Sequence, residues 1–248
     1  MFSWIWLNIL VRPIYNLLIL AYWPFKDLGL AIILVTILIR VALYPLFQKQ
    51  MRSQKDLAGL QEEIKKIREK YSQDPGKIQQ ATMALYQARG ANPLSGCLPM
   101  LIQLPIFIAL YHVFRFRLAQ EHLSLLYSFV PHPPTLSILA FGFIDLGRPD
   151  FYVLPYLVGI TQFLVGKIMS SRSQQDKTTK RKDSSQPIQM ESMNRMMTYF
   201  MPVFLTMISF SLPSAIVLYL VVSNILSIVQ YYFFNKRTPQ VTIKNTNV

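Results

Sequence analysis

Arg40 is the one charge in an otherwise apolar run over 28–47, and its chemistry asks most for explanation. A guanidinium stays ionised, and holding it at membrane depth costs from about 2.5–3.5 kcal/mol to 10 or more depending on the reference. Seven residues separate it from Phe47, which places its Cα roughly 10 Å from the end of the run. Two arrangements satisfy the charge. The side chain snorkels to the inner headgroups, or it faces a wet pocket between helices and offers a positive charge to an anion. Thr36, Gln103, Gln162, Ser223 and Asn224 fall within other parts of the apolar runs and could line such a pocket. Each alone serves equally as interhelical glue. No carboxylate lies within any of these runs, so the charge has no obvious internal partner.

Other chemistries find little support. No G-x-S-x-G, HExxH or G-x-x-x-x-G-K-[ST] occurs, and His112, His122 and His132 lack metal-ligand spacing. Cys97, the single cysteine, excludes an intramolecular disulfide and a multi-thiolate metal site. No catalysis, cofactor or metal is therefore expected. Met190, Met193, Met196, Met197 and Met201 crowd one span entry, either as core filler or as a soft surface for varied apolar sequences.

The elements that position these residues follow from composition. The chain is 52% hydrophobic and 15% charged with mean hydropathy +0.30, against about 25% charged residues in soluble domains. Apolar runs near 20 residues match a hydrocarbon core of about 30 Å. The expected fold is an all-α polytopic membrane protein with five transmembrane helices at 28–47, 94–116, 151–168, 196–211 and 212–235. Before them, 1–27 carries Asn8, Arg12 and Asn16 as one polar stripe, with Trp4, Trp6 and Trp23. That pattern predicts an N-terminal interfacial amphipathic helix; a spanning helix is the alternative. No removable signal peptide is expected.

Between the first two spans, 48–93 is a mixed-charge segment. Leu57, Leu60, Ile64, Ile67 and Tyr71 repeat at 3,4,3,4 spacing, and Ile78, Ala81, Leu85 and Ala88 at 3,4,3, on either side of a turn signal at 72–76. Two such seams predict an antiparallel helical hairpin. An irregular loop is expected over 117–150, a second polar connection over 169–195 and a basic tail over 236–248. Nineteen basic residues fall on the side of the hairpin, second connection and tail, and five on the other. The bias puts the hairpin and C-terminus in the cytoplasm and the N-terminus outside.

Three stretches, TILIRVALYPL at 36–46, NPLSGCLPMLIQLPIF at 92–107 and PSAIVLYLVVSN at 213–224, resemble the signature segments of the YidC/Oxa1/Alb3 membrane protein insertases. The resemblance spans about 3–237. It implies a five-helix core around a hydrophilic groove open to cytoplasm and lipid, with Arg40 as the arginine that attracts acidic translocated segments. Gln103 and Gln162 would be polar groove positions. It further implies a bacterial plasma membrane location and nascent membrane proteins as partners. Ribosome, signal recognition particle components and Sec translocon are further implied partners, without nucleic-acid specificity. One departure is Leu220, where many relatives carry Trp or Tyr; the large periplasmic domain and lipoprotein signal of other relatives are also not seen. The competing reading is a transporter or channel with an intramembrane anion site, against which stands the lack of an internal repeat. A membrane-embedded hydrolase lacks any nucleophile-and-base pair.

Overall fold

The computed structural model describes residues 6–92, 98–114, 125–131, 136–170 and 196–237, and their side chains except those of 98–100, 170, 197 and 235–237. Cys97, His122, Met190, Met193, the second polar connection and the end of the basic tail lie outside the described residues. The architecture is helical: α1 (Arg12–Phe25), α2 (Leu28–Ala42), α3 (Tyr44–Gly59), α4 (Gln61–Lys70), α5 (Pro75–Ala88), α6 (Leu98–His112), α7 (Leu154–Ser170), α8 (Met201–Ser209) and α9 (Ser214–Arg237). Wide π-type turns, Leu7–Val11 and Met196–Phe200, lead into α1 and α8. A two-stranded antiparallel ladder, β1 (Leu139–Ala140) with β2 (Ile144–Asp145), sits within the segment expected to be irregular.

Local chemistry sets the boundaries. Lys26 adopts φ 50°, and its N–H closes α1 on the Tyr22 carbonyl. Asp27 then caps α2 by accepting from the Leu30 N–H at 2.9 Å. Pro45 lies in the first turn of α3 and has no N–H to extend α2. The helix expected over 28–47 therefore ends at Ala42, and the chain turns by 65° into the rod of α3 and α4. Tyr44 to Phe47 belong to that rod.

The polar stripe of α1, expected to face headgroups, points into the molecule. Arg12 Nε donates to the Leu125 carbonyl at 3.1 Å, and Asn16 Nδ2 donates to the same oxygen at 2.9 Å. Asn16 Oδ1 accepts from the Tyr127 N–H at 2.7 Å, and Asn16 is only 2% exposed. Backbone groups of a loop that lacks its own ladder need such partners, and the stripe supplies them. Leu18 and Ile19, on the flank of α1 beside the stripe, are buried in the main core, whereas Leu17 and Leu20 face outward.

That core gathers α1, α2, α6, α7 and α9, with Ala215, Ile216 and Val217 of α9 fully buried in it. A smaller core closes α3 and α4 against α5 through Leu57, Leu60, Ile64 and Tyr86. Arg89 meets Glu63 at 2.8 Å beside it. The expected seam position Ala88, in the last turn of α5, is exposed, and the buried contact of α5 is made by Tyr86 beside Leu85. Among the described residues, one unbroken helix, over Ser214–Phe234, is long and apolar enough by itself to cross a membrane, with mean hydropathy 1.8.

Candidate functional site: the Arg40 cluster

α9 carries Tyr219, Ser223 and Gln230 at i, i+4 and i+11, which superimposes them on one helical face. α2 directs Arg40 at that face. One guanidinium nitrogen, Nη2, donates to the Ser223 hydroxyl at 2.6 Å and to the Ser223 carbonyl at 2.9 Å. The other, Nη1, donates to Gln230 Oε1 at 3.3 Å. The guanidinium carbon also stands 4.4 Å from the centroid of the Phe47 ring, in cation–π range. Arg40 is 9% exposed.

All these partners are neutral. Hydrogen bonds from a charged donor are worth about 1.5–3 kcal/mol each when well formed, enough to hold the side chain against snorkelling without cancelling its charge. The arrangement therefore stores a net positive charge among apolar helices. A carboxylate replacing Ser223 or Gln230 would form the shorter, stronger charge-assisted pair.

The cluster gathers some expected residues and leaves others aside. Arg40 and Ser223 are in direct contact. Gln103 of α6 joins at one remove, donating to the Tyr219 hydroxyl at 2.7 Å, which in turn reaches Ser223. Thr36 is buried but donates to the Ile32 carbonyl of its own helix at 2.6 Å. Asn224 faces α7, where its amide donates to Thr161 Oγ1 at 3.1 Å. Gln162 is half-buried on α7, and no hydrogen bond among the described residues links it to Arg40. Sequence reasoning missed Tyr219, Gln230 and Phe47. The spacing of 219, 223 and 230 on one α9 face was the available signal for the first two. Phe47 reads as one more apolar residue until the turn at Leu43 folds it back over Arg40.

A helical, apolar protein whose buried arginine has only neutral partners among the described residues fits the class of membrane proteins. The comparisons with known proteins agree. The model of the 60Kd inner membrane protein family matches residues 20–241. The YidC membrane protein insertase of Oceanobacillus iheyensis is 37% identical over 94% of this chain and 84% of its own length. The MisCA insertase of Bacillus subtilis is 36% identical over 95% of this chain and 82% of its own. A longer relative, the YidC insertase of Geobacter metallireducens, is 33% identical, and the match spans 38% of it. A crystal structure of an active YidC insertase with its first transmembrane domain resolved is 30% identical, with TM-score 0.58 over 88% of this chain and 45% of that one. The chain belongs to the YidC/Oxa1 family of membrane protein insertases.

Proposed function

We propose that this protein inserts newly made membrane proteins by lowering the barrier for a hydrophilic segment to cross, with Arg40 as the attracting charge. Each unsatisfied backbone group in hydrocarbon costs several kcal/mol. A path beside a stored charge and the polar groups of Tyr219, Ser223, Gln230 and Gln103 shortens the dry distance, while the substrate's apolar helix partitions sideways into lipid. The observation that carries this reading is that Arg40 is held by neutral partners alone among the described residues. In the conformation described it is nearly covered. A substrate carboxylate therefore meets it by displacing the Phe47 ring or the Gln230 amide, an exchange of weak contacts for a stronger one.

The proposal includes five spans, with α2, α6, α7, α8 and α9 as their helical cores. The α3–α5 hairpin and the C-terminus are placed in the cytoplasm by the excess of basic residues on that side. Nascent membrane proteins are the substrates; ribosome, signal recognition particle components and Sec translocon are the partners to be tested. Cys97, outside the described residues, has no role in it.

The test is insertion into liposomes carrying the purified protein. Arg40→Ala is expected to cut insertion of a substrate with an acidic translocated tail by about tenfold, and Arg40→Lys to retain most of it. A substrate whose tail is neutral should barely respond. Full insertion of the acidic tail by the alanine variant would remove the role of the charge.

A further inference from the structure

The root of the hairpin carries two amides, each with one polar atom left without a partner among the described residues. Phe47, Gln50, Met51 and Gln54 lie at i, i+3, i+4 and i+7 on α3 and form one face. Phe47, Gln50 and Met51 are each at most 7% exposed. This face meets α9, where the Tyr231 hydroxyl donates to Gln54 Oε1. Two buried side-chain atoms there have no hydrogen-bond partner among the described residues: Gln50 Oε1, an acceptor, and Gln54 Nε2, a donor. Each orphan costs on the order of a lost hydrogen bond, and leucine at position 50 would avoid the cost. Polar groups retained at such a cost suit a ligand that is present only part of the time.

The pair defines the ligand. Each residue's main chain has one N–H to donate and one C=O to accept, the complement of one free acceptor and one free donor. Side chains are not read, which suits a protein whose substrates differ in sequence. We propose that Gln50 and Gln54 form a main-chain subsite, in which Gln50 Oε1 takes an N–H and Gln54 Nε2 is accepted by a C=O of an extended segment of the incoming chain. The chain would enter between the hairpin root and α9, one helical turn before it reaches Phe47 and Arg40. The turn at Leu43, with Pro45 behind it, is the articulation that lets α3 swing away from α9 and admit it. This subsite rests on the insertase reading.

The experiment compares the full-length wild type, Gln50→Leu, Gln50→Leu/Gln54→Leu and Arg40→Ala in phosphatidylethanolamine–phosphatidylglycerol liposomes. The probes are one small membrane protein with an acidic translocated tail and its neutral-tail counterpart. Gln50→Leu alone, which breaks no hydrogen bond among the described residues, is expected to melt at or above the wild-type temperature, whereas the double leucine variant, which also gives up the Tyr231–Gln54 hydrogen bond, is expected to insert both substrates about five- to tenfold less well, the worth of one hydrogen bond. A photocrosslinker at position 50 should capture the arriving chain with either tail. Wild-type insertion of both substrates by the double variant would overturn the subsite, and a lowered melting temperature of Gln50→Leu would do so too by showing that this amide only holds the root. Selective loss of the acidic tail in Arg40→Ala alongside a silent double variant would sink the subsite alone. No effect of Arg40→Ala on either tail would sink the insertase mechanism itself.

Discussion

Gly29 sits where no side chain fits. A Cβ built on it would stand 2.5 Å from the Cβ of Ala140 on β1 and 3.1 Å from Asp27 Oδ1. Ala140 is fully buried, so it cannot step aside. Gly29→Ala is therefore expected to cost about 1–3 kcal/mol, read as a fall in melting temperature, with the loop segment 139–145 losing its protection from hydrogen exchange first. Asp27 acts at the same joint: one oxygen caps α2 and the other accepts from the Phe141 N–H at 2.6 Å. At this scale Arg40 was legible from sequence, because a charge in an apolar run has few uses. Tyr219 and Gln230 were not, since tyrosine counts as apolar and a glutamine near the end of a span looks like a boundary residue. Thr36 and Asn224, which the sequence offers as pocket-lining, bond to the Ile32 carbonyl and Thr161 Oγ1, contacts that spacing alone does not show.

At the level of elements, the entry to α7 depends on Asp150, whose carboxylate accepts from the N–H groups of Tyr152, Val153 and Leu154. Burial alone pushes its pKa up, but these backbone donors outweigh it and hold the carboxyl below its ordinary value. A carboxyl lowered by folding contributes stability that is present above the ordinary aspartate range and is lost as pH falls through the lowered value. Asp150→Ala is expected to cost about 1 kcal/mol near neutral pH, and the gap between variant and wild type should close in acid titrations below about pH 4. The hairpin is a separable element with its own small core. Removing 72–77 and rejoining the arms should leave the melting temperature of the bundle unchanged while weakening substrate delivery in cells; a degraded product would show that the tip is structural. The hairpin's apolar spacing was visible in the sequence. The end of α2 was less so, although Pro45 marked it, because the apolar run continues through the turn and composition alone reads it as one span.

Across the whole molecule, α9 is the helix that matches a bilayer by itself: its 24 residues reach about 36 Å at 1.5 Å per residue, against roughly 30 Å for a typical hydrocarbon core. Within the described residues α7 covers 17 positions beside it. Gly159 lets α7 and α8 approach closely, since a Cβ there would meet Thr206 Oγ1 at 2.3 Å. The proposed topology has a direct check. In a Cys97→Ser background, single cysteines at 73 and 240 should react with a membrane-impermeant maleimide only from the cytoplasmic side, and one at 148 only from outside. Labelling of 73 from outside would invert the orientation.

Because the partners of Arg40 are all neutral, the guanidinium is also an electrical element. An inside-negative voltage acts on a net charge with up to about 2.3 kcal/mol per 100 mV for a full crossing. In the proposed orientation that force presses the guanidinium toward Phe47 and the hairpin root, and drives an acidic residue of a passing chain the opposite way, toward the outside. An energised membrane would thus tighten the resting clasp while helping the cargo that releases it, and dissipating the potential with an ionophore should slow acidic tails far more than neutral ones.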